Sequence, residues 1–237
     1  MKCILFESID STNKYLKINY ESYENLTIVR AHHQTQGRGR YNRKWIDNDD
    51  LLFSILIKDN LNNISDYSLV IASSVYKVLS KYLNNVSIKW PNDIMVDDNK
   101  LCGILLEAVT TSKIECVIIG VGINVNTDYF TDDLLIKASS MKLKLNKEID
   151  KENLFNELVK MFEDDYNDYI SGENDYINII KENFYLNNKK VKFTYNNLEY
   201  CGIVKGISSD GNIIIDCNNK LIGLSSGEVT FENIYNK

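Results

Sequence analysis

Apolar residues recur at the 3.6-residue period of an amphipathic helix in two long stretches of the chain. This pattern predicts helices over residues 65–83 and 151–170. Helix-capping side chains at residues 10–13 predict a short helix through residues 15–16, and a further helix is predicted near residues 176–185. Shorter apolar runs predict strands, and the continuous run at 51–57 predicts a strand covered on both faces. The predicted strands cover residues 3–7, 26–31, 51–57, 86–90, 94–97, 101–109 and 114–125, the last two forming a hairpin.

The pattern changes in the last quarter of the chain, where short strands are separated by polar turns such as Asp210-Gly211. Several short strands in quick succession are typical of a small barrel. We therefore predict two domains, a large one over residues 1–186 and a small one over residues 187–237. The strands of the small domain cover residues 191–195, 200–205, 212–216, 220–224 and 228–231.

The composition of the 237 residues, 44% hydrophobic and 25% charged, is that of a soluble globular protein. No stretch approaches the roughly 18 uninterrupted apolar residues of a membrane span, and the N-terminus lacks the features of a signal peptide. We therefore expect a cytoplasmic protein without a membrane partner. The net charge of −6 argues against a DNA partner. His32 and His33, the only histidines, point to opposite faces of a strand, so we predict no metal site.

A basic, glycine-containing loop follows the strand at 26–31. Gly37 and Gly39 can adopt backbone conformations that let N–H groups converge on an anion, and Arg38 and Arg40 add fixed charge. This combination is typical of a loop that folds over a phosphorylated or acidic ligand. A flexible basic surface loop is the alternative interpretation.

A second group of polar residues surrounds Pro91, the only proline. Pro91 cannot donate to a sheet ladder, so it fixes a bend after the strand at 86–90 and displays Asn92 and Asp93. Lys100 begins the next apolar run. It is either a solvated residue at a strand end or a cation that neutralises a carboxylate and a phosphate as they react.

A third segment, Gly120-Val121-Gly122-Ile123-Asn124, superficially matches a dinucleotide-binding fingerprint. It lacks the third glycine, and no amphipathic helix follows at once. We interpret its glycines as allowing a ligand to approach the strand closely, with the Asn124 amide presented to that ligand.

These three segments, in this order, resemble the catalytic domain of the biotin–protein ligase family. The resemblance includes Asp10-Ser11-Thr12-Asn13 and Ala138-Ser139-Ser140-Met141, and Tyr200-Cys201-Gly202-Ile203 through Ser226-Gly227-Glu228-Val229 resembles the family's C-terminal barrel. It implies an α+β fold: a class II synthetase-like mixed sheet backed by helices, followed by a small SH3-like barrel. The implied reaction joins biotin and MgATP into biotinyl-5′-AMP. Biotin then passes to a lysine of a biotin carboxyl carrier protein.

The resemblance also assigns roles to individual residues. Those implied in biotin binding are Ser11, Thr12, Asn13, Gln34, Gly37, Arg38, Gly39, Arg40, Lys100 and Gly103. Those implied in ATP binding are Arg38, Arg40, Arg43, Trp45, Asn92, Lys100 and Asn124. Those implied in catalysis are Lys100, Arg40 and Asp93, with Asp93 helping the carrier lysine to lose its proton.

Two segments depart from the family pattern, Tyr41-Asn42 after Arg40 and Asn48-Asp49-Asp50 after Trp45. Because Asp49 and Asp50 are acidic and follow the residues implied in ATP binding, the exact nucleotide contacts stay undetermined. One interpretation is that these two carboxylates lie near Mg²⁺. The chain reaches Ser11 at once, so we expect a short form without the N-terminal DNA-binding domain of some relatives, either monomeric or homodimeric. The rival functions are a lipoate or octanoate ligase of similar fold and a non-enzymatic regulator.

Overall fold

The computed structural model describes residues 1–40, 43–46, 48–130, 137–173 and 175–225, together with the backbone of Thr230–Phe231. The Tyr41-Asn42 pair and the Ser226-Gly227-Glu228-Val229 segment, both singled out in the sequence, lie outside the described residues. Within the described ranges, no helix is long and apolar enough to cross a membrane.

A seven-stranded sheet forms the centre of the described part of the molecule. Its strands are β1 Cys3–Ile9, β2 Ile28–Gln34, β3 Leu51–Ile57, β4 Val86–Lys89, β5 Asp93–Val96, β6 Asn99–Thr110 and β7 Ile114–Ile123. Their spatial order is β1-β2-β3-β7-β6-β5-β4. β1 and β2 run parallel, whereas the other neighbouring strands are antiparallel. The predicted mixed sheet and the predicted β6–β7 hairpin are therefore confirmed.

Helices cover both faces of this sheet. The helices of the described residues are α1 Thr12–Asn19, α2 Asp66–Leu79, α3 Met141–Leu145, α4 Lys151–Ile170 and α5 Asp175–Glu182. β3 is buried along its whole length, as its continuous apolar run predicts. Its Phe53 packs against Phe155 of α4 with ring centroids 5.5 Å apart, while its Leu56 belongs to a separate cluster with Leu16 of α1.

Helix α4 has the bounds predicted from its apolar stripe. It begins after Asp150, whose side chain accepts hydrogen bonds from the backbone N–H groups of Glu152 and Asn153. Helix α3 was missed because five residues are too few to show a helical period. Its sequence signal is the cap residue Ser140, whose hydroxyl accepts from Leu143 N–H at 3.1 Å.

The C-terminal residues form a separate antiparallel sheet, consistent with the predicted SH3-like barrel. Its strands are β8 Lys190–Tyr195, β9 Leu198–Ile207, β10 Ile213–Cys217, β11 Lys220–Leu224 and β12 Thr230–Phe231. Their spatial order is β11-β10-β9-β8-β12.

The two sheets share a buried interface centred on Trp90. Its indole Nε1–H donates to the carbonyl of Gly211, in the β9–β10 turn, at 2.9 Å. Gly211 has a φ of +74°, and a Cβ there would lie 2.6 Å from Leu69 Cδ1, so glycine allows this close approach. One continuous cluster of buried apolar residues includes members of both sheets. The small sheet is therefore packed against the large one rather than loosely tethered.

The predicted division at residue 186 can be tested by truncation. Removing residues 187–237 should leave the seven-stranded sheet folded, with a lower melting temperature because Trp90 and Leu69 lose their cover. Circular dichroism and thermal unfolding measure this. In the full chain, Trp90→Phe keeps an aromatic ring but removes part of the buried indole and its bond to Gly211, and should cost about 1–3 kcal/mol. A truncated chain without helical signal or a cooperative transition would show that the two sheets fold as one unit.

Candidate active site

A cavity of about 470 Å³ lies where the start of α1, the loop after β2 and the β4–β5 turn meet over strands β6 and β7. This volume is in the usual range for small-ligand sites. Every site residue predicted from the sequence except Gly37 lines it. These lining residues are Ser11, Thr12, Asn13, Gln34, Arg38, Gly39, Arg40, Arg43, Trp45, Asn92, Asp93, Lys100, Gly103 and Asn124.

One end of the cavity carries hydroxyl and amide groups. β1 and β2 are parallel, so their carboxyl ends meet, and this places the start of α1 beside Gln34. The backbone N–H of Thr12 donates to Gln34 Oε1 at 2.8 Å. The Thr12 hydroxyl oxygen lies 2.6 Å from the hydroxyl oxygen of Ser54, a fully buried residue of β3. This end can therefore offer both donors and acceptors to a polar ligand.

Asn13 links this end to Glu107, a residue to which the sequence assigned no role. Its Nδ2 donates to Glu107 Oε2 at 2.9 Å, and its Oδ1 accepts from the Ser54 hydroxyl at 2.6 Å. Glu107 also forms an ion pair with Arg38 of the basic loop at 3.0 Å. The one signal that could have marked Ser54 is its position as a lone polar residue within the apolar run of β3.

The basic loop folds back on itself as a narrow hairpin. Gly39 N–H donates to Arg43 O at 2.8 Å, and Trp45 N–H donates to Gly37 O at 3.0 Å. A Cβ on Gly37 would lie 3.0 Å from Trp45 O, so glycine permits the tight return. Gly37 is buried in this hairpin, away from the cavity surface. The hairpin brings Trp45 into the cavity.

The Trp45 ring rests on glycines of the two central strands. A Cβ on Gly103 would lie 2.9 Å from Trp45 Cζ3, and one on Gly122 would lie 2.9 Å from Trp45 Cε2. A Cβ on Gly120 would overlap Asn13 Oδ1. The sequence predicts that these glycines admit a ligand. In the structure, the groups they admit are the side chains of Trp45 and Asn13.

Lys100 lines the cavity beside Asp93 and Trp45. Its Nζ lies 2.7 Å from Asp93 Oδ1 and 5.7 Å from the centroid of the Trp45 ring. Its backbone is held on both sides, because Lys100 N–H donates to Lys137 O at 2.7 Å and Lys100 O accepts from Ser139 N–H at 3.0 Å. The ammonium group is thus placed by an ion pair and by a fixed backbone.

The asparagines predicted to line the nucleotide side support neighbouring groups. Asn92 Oδ1 accepts from Arg40 at 3.2 Å, while its Nδ2 donates to Ile104 O at 2.9 Å. Asn124 is buried, and its Nδ2 donates to Ser139 O at 3.1 Å. Asn92 therefore ties the basic loop to the sheet, and Asn124 secures the segment beside Lys100.

Lys89 also lines the cavity, although the sequence patterns assign it no role. Burial lowers its pKa to about 8, and the positive charges of Lys100 and Arg43 act in the same direction against the opposing effect of Asp93. The cavity therefore contains a lysine that changes charge at mildly alkaline pH.

Asp49 and Asp50, the acidic residues that depart from the family pattern, do not line the cavity. Asp49 forms an ion pair with Lys151 at the start of α4. Asp50 is buried, and its Oδ1 accepts from Val125 N–H at 3.2 Å and from the Thr127 hydroxyl at 2.6 Å. These carboxylates secure loops behind the site.

The sequence model of the Biotin/lipoate A/B protein ligase family matches residues 5–124. The chain belongs to this family. A second model, the Biotin protein ligase C terminal domain, matches residues 188–231. The resemblance seen in the sequence is thereby confirmed, and most of the residues that line the cavity lie within the part of the chain matched by the ligase family.

Several characterised proteins are similar to this family member. The bifunctional ligase/repressor BirA of Bacillus subtilis is 29% identical over 214 residues, which cover 86% of this chain and 65% of the relative. BirA of Escherichia coli is 28% identical over 239 residues, covering 95% of this chain and 72% of the relative. The chain thus spans about two thirds of the length of these relatives. The biotin protein ligase from Aquifex aeolicus, solved in complex with biotin and ATP, superposes with a TM-score of 0.88 at 25% identity over 98% of both chains.

The packing of Trp45 on the glycines gives a testable prediction. In a Trp90→Phe background, Trp45 is the only tryptophan, and Gly122→Ala should displace its ring because the new methyl group would lie 2.9 Å from it. We expect a red-shifted emission and stronger quenching by acrylamide. Gly39→Ala is the control, since its methyl group would lie 3.8 Å from Arg43 O. Identical emission from the two variants would mean that Trp45 does not rest on Gly122.

Proposed function

We propose that this chain is a biotin–protein ligase, which activates biotin with ATP and transfers it to a lysine of a carrier protein. One observation carries the proposal: hydroxyl and amide groups line the same cavity as several cations, among them Lys100. Biotin has a polar ureido head and an anionic carboxylate tail, so it matches both kinds of group. The similarity to the Aquifex aeolicus ligase, whose structure contains biotin and ATP, supports this pairing of substrates.

In the first step, a carboxylate oxygen of biotin attacks the α-phosphorus of ATP, and the bond to the β-phosphate oxygen breaks to release pyrophosphate. Both reacting groups are anionic, so a cation between them stabilises the transition state. Lys100 provides this cation, and its ion pair with Asp93 positions it before the substrates arrive. Arg40, bonded to Asn92, and Arg43 add positive charge for the phosphates.

The basic loop has a second role, because the mixed anhydride must be protected from water. Arg38 and Arg40 flank Gly39 on a hairpin that borders the cavity, so the loop covers the adenylate until the acceptor arrives. Trp45, at the base of the same hairpin, offers a flat apolar ring to the adenine base.

In the second step, the amine of the carrier lysine attacks the acyl carbon of the anhydride, AMP leaves, and an amide forms. The amine must first lose a proton. Among the described residues that line the cavity, Asp93 is the acidic one, and we assign it as the proton acceptor. The acceptor protein we propose is a biotin carboxyl carrier protein, and the compartment is the cytoplasm.

Magnesium enters this proposal only as the counter-ion of ATP. Asp49 and Asp50, the carboxylates for which the sequence allowed a place near Mg²⁺, do not fit a metal-binding role, since Asp49 pairs with Lys151 and Asp50 binds the Val125 N–H and the Thr127 hydroxyl. No step is therefore assigned to a protein-bound metal, and the charge compensation described above comes from lysine and arginine side chains.

Exchange of labelled pyrophosphate into ATP tests the proposal and the role of Lys100 together. Exchange should depend on biotin, and Lys100→Ala should slow it by roughly 10²- to 10³-fold, the usual cost of losing one stabilising group at developing charge. Circular dichroism should show an intact fold.

The matched control is Lys144→Ala, which removes a lysine that pairs with Asp97 outside the cavity. Exchange driven by lipoic or octanoic acid instead of biotin would favour the rival ligase. Absence of exchange with all three acids would favour a non-enzymatic regulator. Unchanged exchange in a folded Lys100→Ala protein would remove Lys100 from the mechanism.

The lowered pKa of Lys89 predicts how ATP binding depends on pH. Below about pH 8, Lys89 is protonated and attracts the phosphates, whereas above it the side chain is neutral. ATP affinity should therefore fall as the pH rises through this value, by about tenfold if one charge-assisted contact is lost.

Titration calorimetry at several pH values measures this effect. Lys89→Met should bind weakly at every pH, and Lys89→Arg, which stays charged, should bind tightly throughout. A wild-type pH profile with the same shape as that of Lys89→Met would show that Lys89 does not contact the nucleotide.

A further inference from the structure

We propose that Glu107 is a positioning residue that fixes the direction of a chain of hydrogen bonds and thereby makes the Thr12 hydroxyl an acceptor for an N–H group of the ligand. The inference rests on the proposed function and deepens it, because it identifies the feature of biotin that the polar end of the cavity selects. The chain runs from Glu107 through Asn13 and Ser54 to Thr12.

The Asn13 amide can point in only one direction. Its Nδ2 lies 2.9 Å from Glu107 Oε2 and 3.4 Å from Leu105 O, and both of these atoms can only accept. Exchanging the oxygen and nitrogen of the amide would place two acceptors against the Asn13 oxygen. Glu107 and the Leu105 carbonyl therefore fix Nδ2 as the donor and leave Oδ1 facing Ser54.

The direction of the next bond follows. Asn13 Oδ1 is an acceptor, so the Ser54 hydroxyl, 2.6 Å away, must donate its single proton to it. Ser54 is fully buried, so water cannot supply an alternative partner. The Ser54 oxygen can then only accept from Thr12.

Thr12 consequently donates its own proton to Ser54 across 2.6 Å. Thr12 Oγ1 also lies 3.1 Å from Gln34 Oε1, but its hydroxyl proton is already used in the shorter bond to Ser54. Gln34 Oε1 in turn accepts from Thr12 N–H at 2.8 Å. Since Thr12 lines the cavity, its hydroxyl presents lone pairs to the ligand. A ureido N–H matches this acceptor, whereas an acyl chain or a ring oxygen does not.

The surroundings of Glu107 hold its carboxylate in this role. Arg38 lies 3.0 Å from Glu107 Oε1 and Lys17 lies 3.5 Å from the same oxygen, while Oε2 faces Asn13. Gly120 gives Asn13 the space it occupies, because a Cβ there would overlap its side-chain oxygen. The ion pairs thus use one carboxylate oxygen and the hydrogen-bond chain uses the other.

Titration calorimetry without ATP tests the inference on the full chain. The ligands are biotin and the two analogues in which one or the other ureido N–H is replaced by oxygen. Wild type should prefer biotin over the analogue whose oxygen faces Thr12 by about tenfold or more, since two acceptors then oppose each other. Glu107→Ala and Ser54→Ala should reduce this preference to about threefold or less, because the Thr12 proton can then turn toward the ligand.

Lys17→Met provides the matched control. It removes one ion pair of Glu107 Oε1 and leaves Oε2 to accept from Asn13, so the preference should remain. A purely structural effect would instead weaken biotin and both analogues equally in every variant. Equal weakening, or an unchanged preference in Glu107→Ala and Ser54→Ala, would overturn the inference alone. A wild-type protein that binds no biotin would overturn the proposed function as well.

Discussion

Gly103, Gly120 and Gly122 leave a patch of strands β6 and β7 without side chains, and the cavity is built on this patch. Gly103 and Gly122 are directly paired across the two strands. Around them the sheet is closely packed on both faces, because the neighbouring strand β3 is wholly buried. The missing side chains therefore provide room on an otherwise filled sheet, and Trp45 and Asn13 use part of that room.

The polar and charged side chains of the cavity come from the strands and loops that end beside this glycine patch. The parallel pair β1–β2 brings hydroxyls and amides to one side through the start of α1 and Gln34. Lys89 at the end of β4, together with Arg40 and Arg43 of the basic loop, adds cations to the same cavity. The Lys100 ammonium lies 2.7 Å from Asp93, so it is positioned before any ligand enters. Such preorganisation matters in charge-neutralising catalysis, because the protein does not have to rearrange as charge develops.

Elements and site residues could be predicted from the sequence where their signal lies within a few neighbouring residues of the chain. The bounds of β3 and α4 were predicted because burial leaves a local pattern along the chain, a continuous apolar run in β3 and an apolar stripe at helical spacing in α4. The cavity-lining motifs were found because glycines, arginines and a proline have unusual local chemistry. Ser54 and Glu107 were missed because their roles depend on Asn13, 41 and 94 residues away in the chain. Gly37, implied in biotin binding, lies opposite Trp45 in the hairpin of the basic loop rather than in the cavity lining, and the sequence does not show where the loop returns.

The small C-terminal sheet reaches the site through Trp90. This side chain lines the cavity between Lys89 and the turn that carries Asn92 and Asp93, and its Nε1 donates to Gly211 of the small sheet. A buried indole N–H left without an acceptor costs about 1–3 kcal/mol. The turn is therefore most stable when the small sheet is docked. Removing the small sheet would release the turn and expose the apolar residues that the small sheet covers. The geometry around Lys100 therefore depends on residues outside the sheet that forms the cavity.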